Sequence, residues 1–216
     1  MNRKSLFISG AALLLVAFIF AIILFQNHEA ELQNTSLGQS RGVLERQGAP
    51  VKGPADARVT IVEFLDPACG TCREFYPLIK HYIDQYPGMV KVMVRYAPLH
   101  SGSDQVVKML EAAHHQGKFW PALELLFSNQ GRWVINHTSQ PMRARALLNS
   151  LDLNQEKLTL DMNHPDVIQA IQEDIQAGQT LGVRATPEFF VNGRPMPSFG
   201  YEQLNQLVEE AVADEY

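Results

Sequence analysis

Val59-Thr60-Ile61-Val62-Glu63-Phe64-Leu65, followed by Asp66-Pro67-Ala68 and then Cys69-Gly70-Thr71-Cys72, decides how this chain folds. The first seven residues are almost all β-branched or aromatic, the composition of a strand buried on both faces. Glu63 is the exception, on the same face as Val59, Ile61 and Leu65. A carboxylate inside such a run sits either at a strand end or in the interior for a chemical reason. Pro67, Gly70 and Thr71 then break the strand around the two cysteines. Phe75, Leu78, Ile79, Tyr82, Ile83 and Tyr86 follow at helical spacing, with Pro77 inside the pattern as an expected kink. Pro87-Gly88 ends that helix. Met89–Arg95 alternates Val90, Val92 and Val94 with other residues and reads as a second strand. Residues 59–95 are therefore a strand–helix–strand unit with a C-x-x-C at the helix start.

Downstream, residues 101–181 read as helical, with no convincing strand. Ser101 and Asp104 suggest a capping box, and Gly117 a stop. Phe119, Trp120 and Phe127 read as core of the next helix, and His114-His115 as helix surface. Pro141 and Pro165 suit helix first turns, the second helix ending near Gly178. Glu188–Val191 is a short strand, Asn192-Gly193 a two-residue hairpin signal, and Pro195 and Pro197 mark an edge strand after it. Leu204, Leu207, Val208 and Ala211 make a final amphipathic helix. The order is β-α-β, a helical block, then β-β-α, without internal repeats.

Upstream, residues 5–25 hold no charge and span roughly 30 Å as a helix, the thickness of a bilayer core. Gln26 to Ala30 makes a poor signal-peptide cleavage site, so an uncleaved anchor is expected. Arg3 and Lys4 orient it, with residues 1–4 as a cytoplasmic stub. This predicts a single-pass protein of the cytoplasmic (inner) membrane, its domain on the periplasmic or extracytoplasmic side. Polar residues 26–50 read as a stalk or linker. The 216 residues carry 18 Lys and Arg against 23 Asp and Glu, a net charge of -5. The first 25 hold two of those cations and no anion, so the remainder carries -7. No basic stripe recommends a nucleic-acid partner.

Only two cysteines are present, so a packed core and not a disulfide scaffold must hold the fold. At a helix start, Cys69 stands near the N-cap and Cys72 one turn in. Unpaired N–H groups and the helix dipole favour a thiolate there. A lowered thiol pKa gives more thiolate and a better leaving group. Cys69, at the exposed end, is expected to attack and Cys72 to resolve a mixed disulfide. A zinc site would need two further ligands, and no downstream histidine pair has finger spacing. A structural disulfide closing so short a loop would stabilise little.

The element order, Val59-x-Ile61-Val62-Glu63-Phe64 before Cys69-Gly70-Thr71-Cys72, Gly117-Lys118-Phe119-Trp120, and Leu181-Gly182-Val183-Arg184-Ala185-Thr186-Pro187 before Phe189-Phe190-Val191-Asn192-Gly193 together resemble the thioredoxin superfamily. The helical block is similar to that of its DsbA-type extracytoplasmic thiol:disulfide oxidoreductases. The resemblance covers about residues 50–213. It implies an α/β thioredoxin fold, its first half at residues 51–100, a helical insertion at 101–181 and its second half at 182–216, preceded by the transmembrane helix. It implies that Glu63 occupies a buried acidic position that carries protons to and from Cys72. Thr186 would bond an extended substrate chain and Pro187, in a cis peptide, would pack on the disulfide. No cofactor and no metal are implied. Expected partners are thiol- or disulfide-containing proteins and a membrane redox partner, a quinone-linked oxidase or a reductase.

Gly70-Thr71 departs from the Pro-His of the strongest oxidases and offers no positive charge to the thiolate. A less extreme pKa and a less oxidising potential follow. Thr186 before the proline is shared with isomerase and reductase branches, which makes reduction or isomerisation for a dedicated client the alternative direction. A peptide-binding chaperone module with an incidental disulfide is the alternative from another class.

Overall fold

A computed structural model describes residues 42–216 of the chain. The apolar run at residues 5–25 and most of the expected stalk lie outside the described residues. Among the described residues, no helix is long and apolar enough to cross a membrane.

The strand that leads into the two cysteines, β2 (Val59–Leu65), is buried at all seven positions. It runs parallel to β3 (Val90–Tyr96) on one side and antiparallel to β6 (Glu188–Val191) on the other. Two short strands finish the sheet: β1 (Val51–Lys52) lies outside β3 and β7 (Arg194–Pro195) outside β6, giving the order β1-β3-β2-β6-β7. Pro195 thus sits on an edge, where a missing N–H leaves no ladder bond open. Asn192 and Gly193, both at positive φ, turn the β6–β7 hairpin.

Side-chain alternation along β2 sends residues to two different cores. Val59 and Ile61 pack with Phe75, Ile79 and Tyr82 of α1 (Gly70–Gln85) and with Leu204 and Val208 of α8 (Tyr201–Glu215). Val62 and Phe64 pack with Phe190 and with Ala177 of α7 (Pro165–Thr180). Helix α1 continues through Pro77 to Gln85. The remaining helices, α2 (Ser103–His114), α3 (Phe119–Ser128), α4 (Gln130–Trp133), α5 (Pro141–Leu148) and α6 (Gln155–Asp161), form a second packed body. Its core joins Leu110, Phe119, Trp133 and Leu158 to Leu65, Cys72 and Tyr76. The C-x-x-C therefore sits where the sheet meets the helical block.

Four local expectations change. The helical block contains a small hairpin, β4 (Val134–Ile135) and β5 (Thr138–Ser139), turned by Asn136 and His137 at positive φ. Two-residue strands leave no alternation to read. Helix α2 is capped by Gly102 in the left-handed region and not by a Ser101–Asp104 box. Ser101 instead bridges to Thr138, across the contact of the hairpin with this loop. Helix α7 runs two residues past the expected stop at Gly178, to Thr180; a Cβ at Gly178 would stand 3.4 Å from the Phe64 ring, so the glycine serves the close approach of helix and sheet and is not a helix end. The expected linker also ends early: Leu44 and Ala49 are core residues beside Phe64 and Met93.

A buried ion cluster fixes that segment. Arg46 Nε donates to Asp174 Oδ1 at 2.8 Å and Arg95 Nε donates to the same carboxylate. Arg95 also donates to the carbonyls of Val43 and Leu44, and the backbone N–H of Tyr96 donates to Asp174 Oδ2 at 2.9 Å. Asp174 thereby joins α7, β3 and residues 43–46. Removing it strands two buried cations, a loss of about 3–5 kcal/mol for a broken buried pair. Asp174→Ala is expected to lower the unfolding free energy by that amount in urea denaturation, with little change for an exposed control on the same helix such as Gln172→Ala.

Candidate active site

The turn between β2 and α1 is held from three directions. Asp66, fully buried, accepts the Ala68 N–H at 2.8 Å and the Ser103 hydroxyl on Oδ1. Its Oδ2 accepts the N–H groups of Leu99 at 2.7 Å and His100 at 2.8 Å, with the His100 Nδ1 at 2.8 Å. From the helical block, Gln130 Nε2 donates to the carbonyls of Pro67 at 3.0 Å and Cys69 at 2.9 Å. A residue satisfied on every side in the interior fixes its neighbours, because losing any partner leaves a buried polar group unpaired.

Cys69 is the N-cap of α1, at φ -70° and ψ 121°. Its sulfur accepts the Cys72 N–H at 3.4 Å, the bond that an N-cap oxygen ordinarily receives. As a thiol it donates to the Thr186 carbonyl at 3.1 Å. Once ionised it becomes an acceptor, held foremost by the Cys72 side chain. Burial works against the charge, and the Thr186 side chain and the backbone N–H groups of Cys72 and Thr71 work for it. The balance brings the Cys69 thiol down to about 5. No cationic side chain is among these supports, in keeping with the neutral Gly70-Thr71 dipeptide. One turn further, Cys72 is fully buried. Burial first, then its hydrogen bond to Cys69 and the charges of Glu63 and Cys69, push its thiol well above the ordinary range. Both thiols are free.

Glu63 lies in the middle of β2, opposite Val94 and Phe189, and is 1% exposed. Its Oε1 has no hydrogen-bond partner among the described residues. Burial, reinforced by the Cys69 charge, raises its carboxyl to about 8. At neutral pH the site thus combines a thiolate at Cys69 with protonated groups at Cys72 and Glu63. That combination suits thiol exchange: an ionised nucleophile, a buried partner, and a neutral acid beside it.

The Thr186–Pro187 bond is cis, and its carbonyl faces the Cys69 sulfur. Apart from that contact, the backbone groups of Arg184, Ala185 and Thr186 make no hydrogen bond among the described residues, which leaves a short edge for another chain to pair with. The geometry thus brings Cys69, Gly70, Thr71, Cys72, Glu63, Thr186 and Pro187 into one region. His114 lies elsewhere, its Nε2 3.0 Å from the Gly48 carbonyl, and Phe119 and Phe127 are core. Asp66, His100 and Gln130 were not singled out from the sequence. Asp66-Pro67 at a strand end is a turn signal that could have drawn attention to the first. Gln130 carries no signal, because its two acceptors lie more than 60 positions away.

A thioredoxin family model matches residues 45–210, and the chain belongs to that family. A solved thioredoxin-like oxidoreductase from Silicibacter pomeroyi is 29% identical, covers 78% of this chain and 95% of its own, and superposes with a TM-score of 0.68. Disulfide bond formation protein D of Bacillus subtilis is 25% identical over 86% of each chain. A Na(+)/H(+) antiporter NhaA of Herminiimonas arsenicoxydans is 31% identical over 67% of this chain, yet the match spans only 22% of the antiporter. The transport name therefore describes a protein most of which has no counterpart here.

Two outcomes follow from the electrostatics. Dipoles and not ions hold the Cys69 thiolate, so its titration near pH 5, followed by thiolate absorbance, is expected to shift little between low and high salt. A cation-stabilised thiolate would instead titrate higher as salt rises. The second outcome concerns Glu63. Its folded pKa lies above the ordinary 4.5, so the native state holds a proton that the unfolded chain releases between pH 4.5 and 8. Stability falls as pH rises through that window. Glu63→Gln removes the penalty: in chemical denaturation of the reduced protein it is expected to match the wild type near pH 4 and exceed it by about 3 kcal/mol at pH 7.

Proposed function

We propose that this chain is a DsbA-type thiol:disulfide oxidoreductase that oxidises the thiols of protein substrates outside the cytoplasmic membrane, with residues 5–25 as its anchor. The observation that carries the reading is the opposed pair of thiols: Cys69 lowered to about 5 and Cys72 raised above the ordinary range, one helical turn apart. The disulfide-forming relative of matching length supports it.

In the oxidising direction a substrate thiolate attacks the Cys69 sulfur of the Cys69–Cys72 disulfide. A new sulfur–sulfur bond forms to Cys69, and Cys72 leaves with the electron pair of the old one. Buried and poorly solvated as a thiolate, Cys72 takes a proton, and Glu63 is the neutral acid beside it. The substrate's second thiolate then attacks its own sulfur in the mixed disulfide. Cys69 departs as a stable thiolate, so the substrate has lost two electrons and the enzyme has gained them. Thr186 and its unpaired backbone neighbours hold the substrate as an added strand. A quinone-linked membrane partner removes the electron pair from the dithiol and restores the disulfide.

A second direction, reduction or isomerisation for a dedicated client, is favoured by one observation: no cation supports the thiolate. The value of about 5 falls between thioredoxin at ~7 and the strongest oxidant at ~3.5. Equilibration with glutathione separates the two directions. The oxidase reading expects a potential between ~-270 and ~-120 mV, and a value at or below the former assigns the protein to reduction. Between the two thiol pKa values, reduction takes up one proton per two electrons. The potential is then expected to fall by ~30 mV per pH unit above pH 5, and by about twice that below it, where both thiols are protonated. A Cys72→Ser variant should accumulate mixed disulfides with substrates, and Cys69→Ser none.

A further inference from the structure

A groove of about 730 Å³ opens between α1 and the α3–α4 corner. Arg73, Pro77 and Lys80 form one bank, Glu124, Ser128 and Gly131 the other. Tyr76 and Phe127, packed edge to face at 5.4 Å, close the floor. Two bonds tie its mouth to the reacting sulfur's own residue. The Arg73 N–H donates to the Cys69 carbonyl at 3.3 Å, and Gln130, also in the lining, donates to the same oxygen. The groove therefore begins within one residue's reach of the Cys69 backbone.

We propose that this groove takes the extended segment of a protein substrate that flanks its reacting cysteine. This rests on the oxidoreductase reading and adds a binding subsite away from the Thr186 loop. An extended chain advances about 3.3 Å per residue, so residues beside a cysteine held at Cys69 must cross the surface next to it. One way out lies along Arg184–Thr186, and the other runs over Arg73 into the groove. Its volume falls in the range of sites that enclose ligands of several hundred daltons, enough for a few residues.

The lining states the chemistry of the occupant. The Glu124 carboxylate is already engaged, accepting from Lys80 at 2.8 Å and from the Tyr76 hydroxyl at 3.0 Å. Arg73 is exposed, and its one ion-pair partner among the described residues is Glu74 at 3.7 Å, so a carboxylate close to the substrate cysteine has a cation to meet. Pro77 adds an apolar ring to this bank and no N–H. Asp84 and His81 lie further along α1 from Cys69, so the acidic residue belongs at the Arg73 end: a polar, extended segment with an acidic residue next to its cysteine fits this lining.

Gly131 offers a plug. A Cβ there meets nothing within 4 Å and its φ is not in the left-handed region, so Gly131→Trp fills the groove without pressing on the core. The full-length protein would be assayed on two reduced dicysteine peptides, one with about six flanking residues on each side, including an acidic residue beside the cysteine, and one trimmed to a single flanking residue. Exchange with glutathione is measured alongside. The wild type is expected to favour the long peptide by about fivefold in kcat/KM. Gly131→Trp is expected to lose that preference and keep its glutathione exchange. Should Gly131→Trp fail to fold by circular dichroism, Ser128→Trp on the same exposed bank gives the same readout. A folded plug variant that keeps the preference overturns the subsite, and so does a wild type with no preference. Absence of glutathione exchange in the wild type would instead overturn the oxidoreductase reading beneath it.

Discussion

The first N–H groups of a helix have no partner within it, and most helices meet them with a serine, threonine, aspartate or asparagine oxygen. Here the Cys69 sulfur takes that position and accepts the Cys72 N–H. The donors that need an acceptor to start α1 are the donors that favour a thiolate over a thiol. Helix capping and thiol acidity are thus two consequences of one contact. Much of the surrounding architecture serves to keep the start of α1 in place. Strand β2 is buried on both faces and delivers the chain to the turn. Asp66 gathers the turn and the 99–103 loop on one carboxylate, and Gln130 fastens the turn's carbonyls from the helical block.

One helical turn then separates two thiols with opposite tendencies. Both cysteines lie in the shared core with Tyr76 and Leu65, and Cys69 is less open than its place at the helix start suggests, at 5% exposed; what separates them is that Cys69 has the cap's donors around it while Cys72 is wholly enclosed. Burial alone would raise both, and hydrogen bonding reverses the sign only at the cap. Glu63 completes the asymmetry from the sheet side, because a carboxyl without a partner in that core holds its proton at neutral pH. Groups whose environments push their pKa values apart divide the labour of attack, departure and proton transfer.

Much of this was legible in the sequence because it is local. The β-branched run at 59–65, the helical spacing after Cys72, and Asn192-Gly193 each depend on neighbours a few positions away. The C-x-x-C and Thr186-Pro187 could be paired through the family resemblance. What escaped depends on distant partners. Strand β1 exists because Val51 and Lys52 meet Met93 and Val92, and two residues carry no period of their own. Residues 43–50 read as linker because their polar character hides Leu44 and Arg46, which are buried only when Asp174 and Arg95 arrive from elsewhere. Glu63 could be flagged as anomalous in a strand, but its isolation from any partner required the packed structure.

The direction of electron flow follows from how the reduced state is held. A disulfide is a strong oxidant when its dithiol form is stabilised, and a thiolate that is comfortable at neutral pH is such a stabilisation. In this site that comfort comes from N–H groups, a neighbouring thiol and the Thr186 side chain, with no cation contributing. The site therefore gains less than one with a histidine between its cysteines, yet more than a helix start alone would give. The Thr186 contacts also matter in a second way. Its carbonyl and side chain belong to the same loop whose neighbouring backbone is free to pair with a substrate. A chain that binds there would displace or reorient groups that support the thiolate. On the proposed reading, substrate binding and redox poise would be linked through Thr186, and the reactivity of Cys69 would be set jointly by its helix and by whatever lies on that loop.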